Sequence, residues 1–510
     1  MTRPICVVVF TSSSRAIYRP PLQPRSSHST SAALVTDTAR MHSDAQSDHL
    51  LPKNPLRFPD ADDEDHPKII IPIVVGTRPE AIKLVPVIIA LRDSDTFQPV
   101  VVSTGQHHHM VEEIFEEAGV GTHVHLWAGT ERASLTERVT TTMRRFNDFC
   151  LEWFGPHPGD QEVAQAILNG NYPAAVIVHG DTSSAMAAAL ASFHLQIPVL
   201  HVEAGLRTGG SIMSPFPEEL NRQVITCIAA LNFAPTFENL ENLVRENVEV
   251  GQIFVTGNTG IDALRWASTL DSPYIDPAVE ALHQSDDRIV LVTAHRRENW
   301  GAGLANIAAG IRKLAHRFPE VKFVVPLHPN PRVRHELGEP LVMFDNVLLT
   351  EPLEYTSFAR LIGRSSIVIT DSGGIQEEAP SLNKPVLVAR DSTERGEGVD
   401  AGTLILVGTN PDVIEAEGAK LLEDDAYYTK IAEAPNPYGD GFAAARIVQA
   451  LEYLLTGKNP PVPFGHGFSR GELADATGIR VPDVPDEYEH GLEDLLADSH
   501  EPSDAASWPL

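Results

Sequence analysis

Three carboxylates in the first half of the chain stand where acid–base chemistry could be done. Asp181 follows the apolar run from Ala175 to Val178, in Val178-His179-Gly180-Asp181-Thr182. Glu203 follows Val199 to Val202, in His201-Val202-Glu203-Ala204-Gly205. If the two runs are consecutive parallel strands, both carboxylates emerge side by side at one edge of a sheet. Their repulsion then separates the two pKa values and suits one to act as base and the other as acid. Each also has a plainer reading: Asp181 as the cap of the helix that begins after Thr182, and Glu203 as the ion-pair partner of Arg207. Glu218 and Glu219, after Ser214-Pro215-Phe216-Pro217, fall in a first helical turn, where one of them complements the helix dipole.

Cationic and small residues supply a complementary half. The segment from Val74 to Lys83, VVGTRPEAIK, reads as a strand, a glycine turn and a helix start with proline in the first turn. It places Arg78 and Lys83 outside the carboxyl end of a strand, where an anion docks in a doubly wound sheet. A local ion pair is the alternative for Arg78. In Thr293-Ala294-His295-Arg296-Arg297-Glu298, a histidine and two guanidinium groups suited to phosphate follow another strand. Ser372, Gly373 and Gly374, between a strand and a helix, expose backbone N–H groups that form a phosphate cradle. Glu378, one turn later, can accept hydrogen bonds from a ribose diol. His107, His108 and His109 are adjacent, and adjacent side chains do not converge on one ion, so no metal ligand is assigned. There is no P-loop, GxGxxG, DxD-type or nucleophile-elbow motif. The expected chemistry needs no metal and no organic cofactor.

These residues require elements that hold them at sheet edges, and the chain supplies a repeated alternation of apolar runs and amphipathic stretches. That pattern predicts βα units and an α/β fold of two doubly wound, Rossmann-like domains facing across a cleft. The strands are expected at 69–75, 99–102, 175–178 and 199–202, then at 289–293, 323–325, 367–369 and 386–388. Pro72 is awkward inside the first of them, because it cannot donate to a ladder. The expected organisation is an N-terminal extension (1–66), a first domain (67–256), a second, nucleotide-binding domain (257–435) and an acidic tail (458–510).

Composition excludes several classes. The chain has 510 residues, 39 basic and 69 acidic, for a net charge of -30. Such a surface is repelled by nucleic acid and by anionic membranes, so any polyanion held must be small and locally clamped. No stretch approaches the roughly 18 apolar residues of a membrane span. Cys6, Cys150 and Cys227 form no CxxC pair, which makes a reducing compartment, the cytoplasm, the expectation. The first 40 residues are Ser- and Arg-rich, with no acid before Asp37, a composition shared by organelle transit peptides and by plain disorder. From Glu472 to Asp504 eleven acidic residues stand against Arg480 alone, which reads as a solvated appendage.

Taken together, these motifs resemble the non-hydrolysing UDP-N-acetylglucosamine 2-epimerases. Gly76 to Lys83, His179 to Thr182, His201 to Thr208, Pro217 to Glu219, Asn221-Arg222, Thr256 to Thr259, His295 to Glu298 and Asp371 to Glu378 follow the family pattern in register. The likeness runs from about Lys68 to about Leu455, through Arg390 to Arg395 and Asn436 to Gly441. It implies a GT-B fold with a crossover helix (436–457) returning to the first domain, interconversion of UDP-GlcNAc and UDP-ManNAc through 2-acetamidoglucal, and a homodimer. By that likeness Arg78, His295, Ser372, Gly373, Gly374 and Arg395 hold the diphosphate or nearby groups, with Glu378 on the ribose and Phe358 near the base. Asp181, Glu203 and Glu218 form the acid/base set, supported by Lys83, and His295 belongs to the catalytic group. Two departures stand out. Gln106-His107-His108-His109-Met110 replaces a common Gln-His-Arg-Glu-Met, which in bacterial members neighbours a second, activating UDP-GlcNAc. Leu353 stands where glutamine is common. A hydrolysing epimerase, a GT-B glycosyltransferase and a catalytically silent UDP-sugar sensor are the alternatives.

Overall fold

The computed structural model describes residues 67–129, 134–208, 211–271, 273–393, 395–458, 461 and 464. The expectations for 1–66, including organelle targeting, and for the acidic run from Glu472 lie outside the described residues.

Among the described residues thirteen parallel strands form two sheets. The first comprises β1 (Ile69–Val75), β2 (Phe97–Ser103), β3 (Val124–His125), β4 (Val176–His179), β5 (Val199–Val202), β6 (Leu231–Ala234) and β7 (Ile253–Val255), in the order β3-β2-β1-β4-β5-β6-β7. The second comprises β8 (Ile289–Thr293), β9 (Lys322–Pro326), β10 (Val347–Thr350), β11 (Ile367–Thr370), β12 (Val386–Val388) and β13 (Leu404–Leu406), in the order β10-β9-β8-β11-β12-β13. β1, β4 and β8 are near-continuous runs of Ile, Val and Leu because helices cover both faces of each sheet, leaving no solvent side to demand alternation.

Both orders reverse once, between β1 and β4 in the first sheet and between β8 and β11 in the second. At such a reversal the helices leave to opposite faces and a crevice opens beyond the carboxyl ends of the two strands. Pro72 fits β1 at a modest cost. Pairing with β2 runs unbroken through Pro72↔Val100, whereas pairing with β4 registers only at Ile73↔Ile177, the side on which the missing N–H falls.

Helix α1 (Arg78–Asp93) packs on the first sheet through Leu84, Val85, Ile88 and Leu91. The last helix, Ala443–Thr456, adds Ile447, Leu451 and Leu454 to that same core. Its start is held by Asp262, whose two carboxylate oxygens accept the backbone N–H groups of Ala443 and Ala444 at 3.2 and 2.9 Å. Burial pushes the Asp262 carboxyl up to about 6 against these stabilising bonds. No helix among the described residues is long and apolar enough to cross a membrane.

Candidate active site

Each crevice is pinned by one buried carboxylate. In the first sheet the chain leaves β1 through Gly76-Thr77 into α1, and leaves β4 through Gly180-Asp181-Thr182 into the helix Ser183–His194. Glu80 joins the two turns: it accepts from the N–H groups of Gly76 and Thr77 at 3.0 and 2.6 Å, from Thr77 Oγ1 at 2.9 Å and from Thr182 Oγ1 at 2.6 Å. Burial raises the Glu80 pKa although four bonds favour its ionised form. Gly76 is required here, since a Cβ would lie 2.6 Å from Ser184.

In the second sheet Asp371, fully buried, does the same for the turns after β8 and β11. It accepts from the N–H groups of His295 and Arg296 at 3.0 and 2.9 Å and from Asn299 Nδ2 at 2.9 Å. The His295 backbone is thereby fixed, and its ring stacks on His328 at 5.3 Å, nearly parallel. Burial lowers the His295 pKa despite the nearby Asp371 charge.

The expected acid/base residues gather beyond β4 and β5. Lys83, on the first helical turns after β1, forms an ion pair with Glu203 Oε2. Glu203 sits at φ 64°, a left-handed conformation unusual outside glycine, which turns its side chain back over the crevice. Two residues on, Gly205 at φ 86° could not carry a Cβ, which would lie 2.2 Å from the Asn239 carbonyl. Burial opposes the Glu203 charge, but Lys83 and then His179 overcome it and hold the carboxyl down at about 2. Burial likewise opposes the Lys83 charge, yet Glu203, helped by Glu377 and Glu378, keeps its pKa above the ordinary value. His179 Nε2 lies 3.7 Å from the same Glu203 oxygen, and burial drops its pKa to about 4, so the ring is neutral at pH 7. His201 is also buried and neutral, its Nε2–H donating to the Gly180 carbonyl at 2.7 Å.

The two plainer readings do not hold. Thr182, not Asp181, caps the following helix, accepting the Ala185 N–H at 3.0 Å. Arg207 pairs with Glu246 through two bonds of 2.7 and 2.6 Å and leaves Glu203 to Lys83. Asp181 instead receives Arg222 Nη2 at 2.6 Å, and Arg222 also binds Glu219 at 2.9 Å. Of the two adjacent glutamates, Glu219 is therefore the buried structural one, while Glu218 is half-buried with no side-chain partner among the described residues.

From the second sheet, Ser372 precedes the helix Gly373–Glu378, with Gly374 exposed at its start. Glu378 closes this helix, and burial together with the adjacent Glu377 charge pushes its carboxyl up to about 7. Glu377 takes Arg395 Nε at 2.8 Å and Asn258 Nδ2 at 3.0 Å, so Arg395 is anchored at the base of the same helix. Phe358 is half-buried on the helix Tyr355–Arg364, packed on the second sheet's core. Glu354 stands just before that helix and accepts from Arg78 Nη2 at 2.9 Å, so Arg78 joins the two halves rather than pairing within its own turn.

The family likeness grouped Lys83, Asp181, Glu203 and Glu218; the structure pairs Lys83 with Glu203, sets Asp181 two residues beyond β4, and starts at Glu218 the helix whose Arg222 binds Asp181. Sequence reasoning missed Glu80, Asp371, Arg222, Glu377 and His328. The first four stood inside quoted motifs, and two of them carried a signal: Asp371 directly follows β11, and Glu80 stands three residues after Thr77, the spacing of a capping box. His328 carried none. A cavity of about 430 Å³ lined by Lys68, Arg92, Phe97 and His123 opens at the opposite, amino-terminal edge of the first sheet, away from these groups.

The sequence model of the UDP-N-acetylglucosamine 2-epimerase family matches residues 162–452. A UDP-N-acetylglucosamine 2-epimerase of Yersinia pestis is 41% identical over 394 residues, 74% of this chain and 97% of that protein. The Bacillus subtilis enzyme of the same name is 42% identical over 384 residues, 75% of this chain and 95% of that protein. The crystal structure of UDP-GlcNAc 2-epimerase from Neisseria meningitidis bound to UDP-GlcNAc superimposes with a TM-score of 0.59 at 40% identity, covering 75% of this chain and 99% of that one. Two doubly wound sheets in the GT-B arrangement, a lysine–carboxylate pair at one reversal and a glycine-rich helix start at the other complete the same picture, and the chain belongs to the UDP-N-acetylglucosamine 2-epimerase family, an isomerase.

Proposed function

We propose that this epimerase is of the non-hydrolysing kind and interconverts UDP-GlcNAc and UDP-ManNAc. The observation that carries the reading is the Lys83–Glu203 pair on the first sheet lying within electrostatic reach of Glu377 and Glu378 on the second. One sheet edge offers carboxylates to a sugar, and the other offers a helix start and a carboxylate to a nucleotide.

The C2 hydrogen of the sugar is not adjacent to a carbonyl, so direct deprotonation is prohibitive. Breaking the anomeric C1–O bond first sends its electron pair to the leaving UDP and develops oxocarbenium character, which acidifies C2–H. A base then takes the C2 proton, C1=C2 forms, and 2-acetamidoglucal and UDP share the cleft. Protonation at C2 from the other face and return of the UDP oxygen to C1 complete the inversion. Glu203, with its pKa near 2, is a poor proton carrier and a good fixed negative charge for the oxocarbenium ion. Asp181 and Glu218 are left for proton traffic, and Lys83 holds Glu203 in place. Arg78, His295, Ser372, Gly373, Gly374 and Arg395 take the diphosphate, Glu378 the ribose and Phe358 the base region. Retaining the glycal until UDP returns requires the two halves to exclude water, in a cytoplasmic homodimer that uses no cofactor.

Chromatography of the products tests the proposal. UDP-GlcNAc and UDP-ManNAc should each yield the same mixture of the two, with the total of UDP-sugars conserved. Accumulation of UDP with free ManNAc assigns the hydrolysing reaction instead, and binding without turnover assigns a sensor.

A further inference from the structure

Helix α2 (His108–Glu117) and strand β3 bring together three metal-type donors that adjacency in the chain does not reveal. His108 and Glu112 are i and i+4 on one helical face, and His125 ends the edge strand beside β2. One donor atom from each side chain lies within 4.8 Å of the others. His108 Nδ1 is 4.0 Å and His125 Nδ1 is 3.9 Å from the same oxygen of Glu112.

Those separations are too long for hydrogen bonds. Both Nδ1 atoms are nevertheless buried and have no hydrogen-bond partner among the described residues, a costly state for two imidazoles side by side. A bound ion removes the cost. Nitrogen and oxygen donors about 2.0–2.1 Å from a tetrahedral zinc ion lie about 3.4 Å apart, so closing the set shortens the two contacts to Glu112 by roughly half an ångström and the widest pair by up to about 1.4 Å. The surroundings are those of a prepared site. Thr122 Oγ1 donates to the Glu112 oxygen at 2.8 Å and orients it, as an outer-sphere partner does. The Trp127 ring stacks on His125 at 5.1 Å and meets His108 edge-on at 4.6 Å, limiting both rings. His107 and His109 are exposed and take no part. Two imidazoles and a single carboxylate are a poor set for magnesium or calcium and a good one for a borderline transition ion.

We propose that His108, Glu112 and His125 bind one zinc-class divalent transition ion, tying helix α2 to strand β3 with the remaining coordination positions open to water. The ion's part is structural. The chain enters α2 through His107, whose N–H donates to the Gly76 carbonyl at 3.0 Å, so the tie steadies a turn packed against the first crevice.

Full-length protein stripped with a chelator and titrated with Co²⁺ tests this. The expected result is one saturable equivalent per chain with visible d–d absorption, displaced by Zn²⁺, and a higher Tm when either ion is bound. His125→Gln and Glu112→Gln should weaken binding by at least roughly 100-fold, since loss of an outer-sphere partner alone costs up to that much. The double variant H107Q/H109Q should bind like the wild type. If His125→Gln loses the native circular dichroism spectrum, His108→Gln supplies the same comparison. A wild-type chain that takes up no Co²⁺, undiminished affinity in the ligand variants, or lost binding in H107Q/H109Q would each overturn the proposal.

Discussion

Glu218 offers the sharpest separation of chemistry from stability. Among the described residues its side chain has no partner, whereas its neighbour Glu219 is tied to Arg222 and Thr208. Glu218→Gln should leave Tm within the equivalent of about 0.5 kcal/mol while lowering kcat by roughly 10²- to 10⁴-fold, and a thermal melt beside steady-state kinetics checks both. Glu378 gives a pH signature. Its folded pKa is near 7, so it is neutral below and ionised above that value. An ionised carboxylate is the better acceptor for a ribose diol, so UDP-GlcNAc affinity should rise between about pH 6 and pH 8 as the carboxyl ionises. Calorimetric titration across that range should show the rise in the wild type and its loss in Glu378→Gln. The diphosphate of a UDP-sugar has no ionisation in that range to mimic it. The sequence made Asp181 and Glu203 legible because each follows an apolar run directly. It could not show that Glu203 adopts a positive φ, or that Arg207 turns away to Glu246, which lies 39 positions on.

Among the elements, the strands that carry the site were the readable ones. β1, β5, β8 and β12 fall where their apolar runs predict, since a strand buried on both faces must be apolar throughout. β3, β6, β7, β10 and β13 were not anticipated. β3 has two residues, and β6 carries the buried Asn232 in its middle, so neither presents an unbroken apolar run. The return of the last helix to the first sheet is fixed by Asp262. Asp262→Ala leaves the buried N–H groups of Ala443 and Ala444 without their acceptor, and should lower stability by about 1–3 kcal/mol. Denaturant unfolding that matches the wild type would show that this cap contributes nothing.

At the scale of the whole molecule, the two halves meet through Arg78 and Glu354, a pair no reading of separate strands could foresee. Their side chains are 33% and 61% exposed, so the bond itself adds little to stability. Glu354→Ala should leave Tm within the equivalent of about 0.5 kcal/mol and should not weaken UDP-GlcNAc binding, because it frees Arg78 for the diphosphate. Arg78→Ala should weaken binding by about tenfold or more, the worth of a charge-assisted contact. Equal losses in the two variants would mean that Arg78 acts only as a strut. The most direct test of the account is proton NMR of the protein with UDP-GlcNAc in D₂O. The account predicts UDP-ManNAc with deuterium at C2, and gradual loss of the C2 proton signal from UDP-GlcNAc as well. UDP-ManNAc that retains its C2 proton, or UDP and free ManNAc with no second UDP-sugar, would contradict it.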